Sequence, residues 1–129
     1  METPETVGKW VERVFPEWSG TKGRALAVIE EATELGLASG LTKEQIQSAV
    51  NLSFRQHDDR ITQTGYVPES DEGEVADCML NIFAYCHKRG IDPQAALDKK
   101  MAANRSKPDE QYKAKTQLKK NLGLALDTL

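Results

Sequence analysis

Glu30, Glu31 and Glu34 form the densest group of chemically active side chains in this sequence. On an α-helix, with Glu30 set at zero, Glu34 falls about 40° round and Glu31 about 100° round, so all three share one arc. Leu26, Ala27, Leu37 and Ala38 lie in or beside that arc, and Ala25, Val28, Ile29, Ala32 and Leu35 cover the opposite side. A helix apolar nearly all round is expected to be buried. Like charges held together away from water repel, and an ionised carboxylate with no partner is costly there. No Lys or Arg stands three or four residues to either side on the same helix. A divalent cation is the economical counter-charge.

A second acidic pair, Glu74 and Asp77, lies about 60° apart on a helix, with Asn81 one turn on. Val75, Met79, Leu80, Ile82, Phe83 and Cys86 give that helix its apolar side. Taken alone, the pair is better read as a solvated helix face, which Lys88 shares. Set opposite the first cluster across a bundle, it completes an all-oxygen pocket of the kind Mg²⁺ or Mn²⁺ prefers over zinc. The third group is basic. Lys100, Asn104 and Lys107 fall within about 60° on a helix, next to Leu97 and Met101, which are expected to pack into the core. Lysines beside such a cation suit a polyphosphate. The alternative is a surface lysine row on an amphipathic helix.

Helices must position these groups, because strand signals are almost absent and helix punctuation is abundant. Gly20-Thr21 opens a segment that Gly40 can end in a left-handed conformation. Thr42 and Gln45 form a capping box that opens a helix to about Ser53. Residues 56–69 carry no helical period and contain Gly65 and Pro68, which predicts a loop with a short hairpin around Gly65. Ser70 starts a helix that stops at Gly90, with Asp71 and Glu72 in its first turn. Asp92-Pro93 pairs an N-cap with Pro at the first helical position and predicts a helix to about Lys107. Shorter helices near residues 4–14 and 109–122 complete an all-α bundle in one domain, residues 1–129, with 108–129 as a C-terminal tail.

The chain has 129 residues and a net charge of −3, so nucleic acid is not an obvious whole-surface partner. Residues 99–120 hold eight basic and two acidic side chains, and the remainder is strongly acidic. For Lys113 to Lys120 a solvated basic tail is the preferred reading. No apolar run reaches the length of a membrane span, and METPETVGKW lacks the basic start and apolar stretch of a signal peptide. Cys78 and Cys86 lie apart without a CxxC pattern and read as reduced, cytosolic, buried thiols. A core this thin invites oligomerisation.

In order, the motifs resemble a family. Glu30-Glu31-Ala-Thr-Glu34-Leu35 matches EExxEL, Glu74-Val-Ala-Asp77 matches ExxD, and Lys100-Met101-Ala-Ala-Asn104-Arg105-Ser-Lys107 resembles KMxxNRxR. The ordered triple, over about residues 20–107, is similar to the MazG-like all-α nucleoside triphosphate pyrophosphohydrolases. Two features depart from the family pattern: the long gap containing residues 56–69, and Asn81 where relatives often carry an aromatic residue. The resemblance implies a four-helix active bundle in a homodimer or dimer-of-dimers tetramer, and cleavage of a (d)NTP to the monophosphate and diphosphate. Glu31, Glu34, Glu74 and Asp77 would hold two or more Mg²⁺ or Mn²⁺ ions. Glu30 would orient or deprotonate the attacking water, with Glu31 the second catalytic carboxylate, and Lys100, Asn104 and Lys107 would bind the leaving phosphates. Trp18 precedes the acidic helix where relatives place aromatic residues near the base, although such a residue is more often core, as is Phe15.

The short single-domain form resembles bacteriophage members, among them the MazZ-type subgroup acting on dGTP and GTP. That makes dGTP/GTP the leading base, with Asn81 offering an amide to a purine edge, and host cytoplasm the expected location. A pyrimidine dNTP or a broad range of nucleotides is the alternative. A different class also stays open: a non-catalytic helical interaction module whose acidic helix pairs with its basic one. Lys100 and Lys107 supply too little charge for that against five carboxylates. Calcium binding through an EF-hand lacks its DxDxDG loop.

Overall fold

The computed structural model describes residues 1–62 and 70–129. Among them, all regular structure is helical: α1 Pro4–Val14, α2 Thr21–Ala38, α3 Lys43–Thr62, α4 Asp71–Arg89, α5 Pro93–Arg105 and α6 Asp109–Asn121, with single 3-10 turns at Pro16–Trp18 and Leu126–Thr128. No described helix is long and apolar enough to cross a membrane.

Local chemistry sets the helix ends. At α1, the Thr3 hydroxyl accepts from the Thr6 amide and the Thr6 hydroxyl from the Thr3 amide. At α3, the Gln45 amide donates to the Thr42 hydroxyl (3.1 Å) and the Thr42 amide to the Gln45 side chain (2.8 Å). Asp92 caps α5 by accepting from the Ala95 amide, ahead of Pro93. α2 and α4 end in left-handed glycines, Gly40 (φ +88°) and Gly90 (φ +64°), each followed by an amide reaching back over the last turn: Leu41 to the Gly36 carbonyl and Ile91 to the Cys86 carbonyl.

Two boundaries differ from the sequence reading. The helix expected to stop near Ser53 continues to Thr62, so residues 56–62 are helix rather than loop. Once a helix is nucleated, each further residue adds a hydrogen bond at little cost, and no Gly or Pro intervenes before Gly65. The hairpin expected around Gly65 lies outside the described residues. α5 ends at Arg105, which leaves Lys107 in the turn before α6.

The chain forms two units, one of Met1–Arg24 with Val75–Leu129 and one of Ala25–Glu74. In the first, α1 buries Trp10 and Val14, one turn apart, with Met101 of α5 and Tyr112 of α6, and Val7, Val11 and Phe15 pack around them. The rings meet edge to face: Trp10–Tyr112 at 5.0 Å, Phe15–Tyr112 at 5.6 Å, Phe15–Trp18 at 5.7 Å and Trp10–Phe15 at 5.8 Å between centroids. Such pairs add about 0.5–1.5 kcal/mol beyond the area they bury. Their polar ends are satisfied, Trp18 Nε1 donating to Thr116 Oγ1 (3.3 Å) and the Tyr112 hydroxyl to the Asn104 carbonyl (3.0 Å). Gly23 permits the backbone of Trp18 to approach α2, since a Cβ there would stand 2.1 Å from the Trp18 carbonyl oxygen.

The C-terminal tail, residues 108–129, packs within the first unit through α6. α6 lies against α1, and Tyr112, Thr116 and Leu126 are buried. Its lysines stay exposed or half-exposed, and Lys120 pairs with Glu17 at 2.6 Å.

In the second unit, the C-terminal part of α2 meets the start of α3 through Gly36, Leu41 and Ile46. α3 buries no residue, and Val50, Leu52, Phe54 and Ile61 are exposed, Phe54 at 66%.

Candidate functional site

The three glutamates lie on α2 as the spacing requires, Glu30 half-buried and Glu31 and Glu34 exposed. The expectation that this helix is buried, and its carboxylates with it, does not hold for one chain. Val28, Ile29, Leu35 and Leu37 are exposed, Ile29 at 60%, and the one buried residue of α2 is Gly23. The physical reason is that a helical period marks residues able to be buried, while burial itself needs a covering element that the period does not supply.

Glu74 and Asp77 lie on α4, both exposed, with Glu74 in the first turn where the amide dipoles favour a negative charge. Ser70 and Asp71 hold that turn by accepting from the Gly73 and Glu72 amides. The Asn81 side chain donates to the Asp77 carbonyl one turn back (3.0 Å). The apolar side assigned to a core is mostly uncovered here as well. Cys86 is buried as expected, whereas Cys78, read as buried with it, is exposed, as are Val75, Met79, Leu80, Ile82 and Phe83, Phe83 at 53%. Among the described residues, no three His, Cys, Asp or Glu side chains gather within reach of a common metal ion.

On α5, Lys100 is exposed and Asn104 half-buried, about 40° apart on the helix, while Lys107 lies beyond its end with its amide on the Asn104 carbonyl (3.2 Å). Met101 is buried as expected, but Leu97 is exposed. Among the described residues neither Lys100 nor Lys107 enters an ion pair. Trp18 is 3% exposed, with the Arg24 guanidinium 4.4 Å and the Lys119 ammonium 5.4 Å from its ring centroid. That is the setting of a core aromatic, with no open face for a base to stack on.

The contacts that hold α5 are absent from the sequence reading. The Glu2 amide donates to Asp98 (2.8 Å), Gln94 donates to the Glu2 carbonyl (3.1 Å) and to Asp98 (2.9 Å), and Arg105 donates to the Glu2 carboxylate (2.7 Å). The Arg105 hydrogen bond holds the Glu2 carboxyl below the ordinary range, and the Glu2 amide does the same for Asp98. Burial raises the Tyr112 phenol, and the bond to Glu17 raises Lys120. The local signal for this network was the Thr3-Pro4 helix start, which places Glu2 just before the N-cap of α1. A separate cleft of about 240 Å³, lined by Val14, Pro16, Glu17, Lys113 and Thr116, contains none of the sequence-predicted site residues.

No protein-family model, curated protein or solved structure matches this chain.

Proposed function

We propose that the chain is a metal-dependent nucleoside triphosphate pyrophosphohydrolase of the MazG-like kind. The observation that carries this reading is the ordered triple of motifs: EExxE on α2, ExxD on α4 and the Lys100–Lys107 segment on α5 and the turn after it. Glu31, Glu34, Glu74 and Asp77 are an oxygen donor set suited to Mg²⁺ or Mn²⁺. A bound cation of that kind neutralises phosphate charge and makes water a better nucleophile at neutral pH. Glu30 accepts a proton from, or orients, the attacking water. Lys100 and Lys107 carry the charge, and Asn104 the amide, that would hold the departing diphosphate. The leading base is guanine, as dGTP or GTP, with exposed Asn81 as the group that reads it; a pyrimidine dNTP is the alternative.

The uncovered apolar residues of α2, α3 and α4 support a second copy of the chain as the partner. A homodimer, or a tetramer of two dimers, would cover the same patch twice and supply the bundle that these carboxylates need.

The same exposed faces favour a second reading as a non-catalytic helical interaction module. Thermal melts with and without Mg²⁺ or Mn²⁺, paired with nucleotide hydrolysis in excess chelator, separate the two. Metal-dependent stabilisation together with chelator-sensitive cleavage is the expected result. Cleavage undiminished by chelator overturns the metal assignment, and the absence of both effects favours the interaction module.

A further inference from the structure

Four residues of α5, namely Gln94, Asp98, Met101 and Arg105, fall within about 60° of one another round the helix. Each is engaged by the N-terminal region. Met101 is buried with Trp10 and Val14 of α1. Gln94 and Asp98 clasp the backbone of residue 2 from both sides, one accepting its amide and the other donating to its carbonyl. Arg105 reaches the Glu2 carboxylate at 2.7 Å and the Thr6 carbonyl at 3.3 Å, and the Thr6 hydroxyl donates to the same carboxylate at 3.0 Å. Lys100 and Asn104 lie about 130° and 90° round from the centre of this stripe, clear of the clasp. A helix held along one stripe cannot rotate about its axis, so the clasp also sets the direction in which those two side chains point. Tyr112 adds a further tie, its hydroxyl on the Asn104 carbonyl.

We propose that Glu2 is a positioning residue: through Arg105, and with the Gln94–Asp98 pair gripping its backbone, it clamps the rotation of α5 so that Lys100 and Asn104 are presented together to a polyphosphate. This rests on the pyrophosphohydrolase reading for the identity of the ligand, and on contacts within one unit for the clamp. It also divides the labour within the Lys100–Lys107 segment. Arg105, although embedded in it, is committed to Glu2 and Thr6 and acts on α5 rather than on phosphate.

The test uses the full chain, with inorganic tripolyphosphate and Mg²⁺ as the probe, and measures three things: tripolyphosphate affinity by calorimetry, amide hydrogen exchange along α5, and kcat and KM for nucleotide. Glu2→Ala and Arg105→Gln should each speed exchange along α5. Each should weaken tripolyphosphate about fivefold to tenfold, because only the molecules with α5 in register then bind. The loss should fall on KM and leave kcat nearly unchanged. The double variant should be no worse than either single one, since the two residues act as a unit, and Arg105→Lys should restore part of the affinity. Lys100→Ala should weaken tripolyphosphate while leaving α5 exchange as it is. Wild-type exchange along α5 in Glu2→Ala overturns the clamp whatever the ligand. Faster exchange with unchanged affinity overturns the positioning role. Failure of the unaltered chain to bind tripolyphosphate or cleave nucleotide overturns the anion site and the functional reading, while the exchange measurement still decides the clamp.

Discussion

Two glycine-to-alanine changes should move stability in opposite directions. A Cβ on Gly23 would stand 2.1 Å from the Trp18 carbonyl oxygen and 2.7 Å from its carbonyl carbon. The obstacle is backbone, so no side-chain rotation relieves it. The 3-10 turn at Pro16–Trp18 has to move away from α2 by more than about 1 Å to reach ordinary contact. That movement strains the bond from Arg24 Nε to the Trp18 carbonyl (3.1 Å) and the seat of the Trp18 ring. Overpacking of this kind costs about 1–3 kcal/mol, and a lost charged hydrogen bond about 1.5–3 kcal/mol. The higher helix propensity of Ala offsets about 1 kcal/mol. The net loss is about 1.5–5 kcal/mol, or roughly 5–18 °C in melting temperature for a chain of this length. Gly8, inside α1, has nothing within 4 Å of its would-be Cβ. Gly8→Ala should therefore stabilise by about 0.5–1 kcal/mol. Tryptophan fluorescence is the right assay, because the chain has two tryptophans, Trp10 and Trp18, both in this unit. A Gly23→Ala protein that melts at or above the wild-type temperature would refute the close approach, and shifts of the same sign in the two variants would refute the steric reasoning.

Glu34→Gln and Asp77→Asn should abolish nucleotide turnover while leaving the fold intact, with melting temperatures equal to or above wild type as like-charge repulsion falls; wild-type turnover in both would make the acidic groups structural. Glu2 and Asp98 have folded pKa values depressed below their unfolded ones, chiefly by the Arg105 bond and the Glu2 amide respectively. Their contribution is present above the unfolded values, near about pH 4, and is lost as pH falls through the folded ones. Urea midpoints followed by tryptophan fluorescence should drop below about pH 4, and the acid limb of Glu2→Gln should be flatter; an equally steep limb would count against the clamp. At the alkaline end, Tyr112 is raised by burial and Lys120 by its bond to Glu17, so their contribution is intact below about pH 10 and lost as pH rises through the raised values. The phenolate absorbance that Tyr112→Phe removes from the wild-type titration should appear above the ordinary tyrosine range, and its appearance within that range would contradict the burial of Tyr112.

Helix ends were legible wherever the deciding contact is local. Thr42 and Gln45, Asp92 and Pro93, and the glycines at 40 and 90 each act within a few residues of themselves, and each stands where the sequence placed it. The end of α3 was not legible, because residues 56–62 lack amphipathic period without containing a breaker. Burial was the larger miss. Ile29 and Leu35 look like core on α2, yet both are exposed, because burial depends on what another element or another chain lays over them. The aromatic core was hidden for the opposite reason. Trp10, Phe15, Trp18 and Tyr112 each look incidental, and only the packing of α6 on α1 brings Tyr112 to the others. Of the candidate site, the residue types and their spacing on each helix could be read directly. The Glu2–Arg105 contact could not, since it joins residues 103 apart.

The most direct measurement is product analysis. The full chain is incubated with each of the common ribo- and deoxyribonucleoside triphosphates in Mg²⁺ or Mn²⁺, and the products are resolved by anion exchange. The expected result is a nucleoside monophosphate and diphosphate in equal amounts, fastest with dGTP or GTP, and lost in Glu34→Gln. Release of orthophosphate with a nucleoside diphosphate, or no cleavage of any nucleotide with either metal, would contradict the proposed activity.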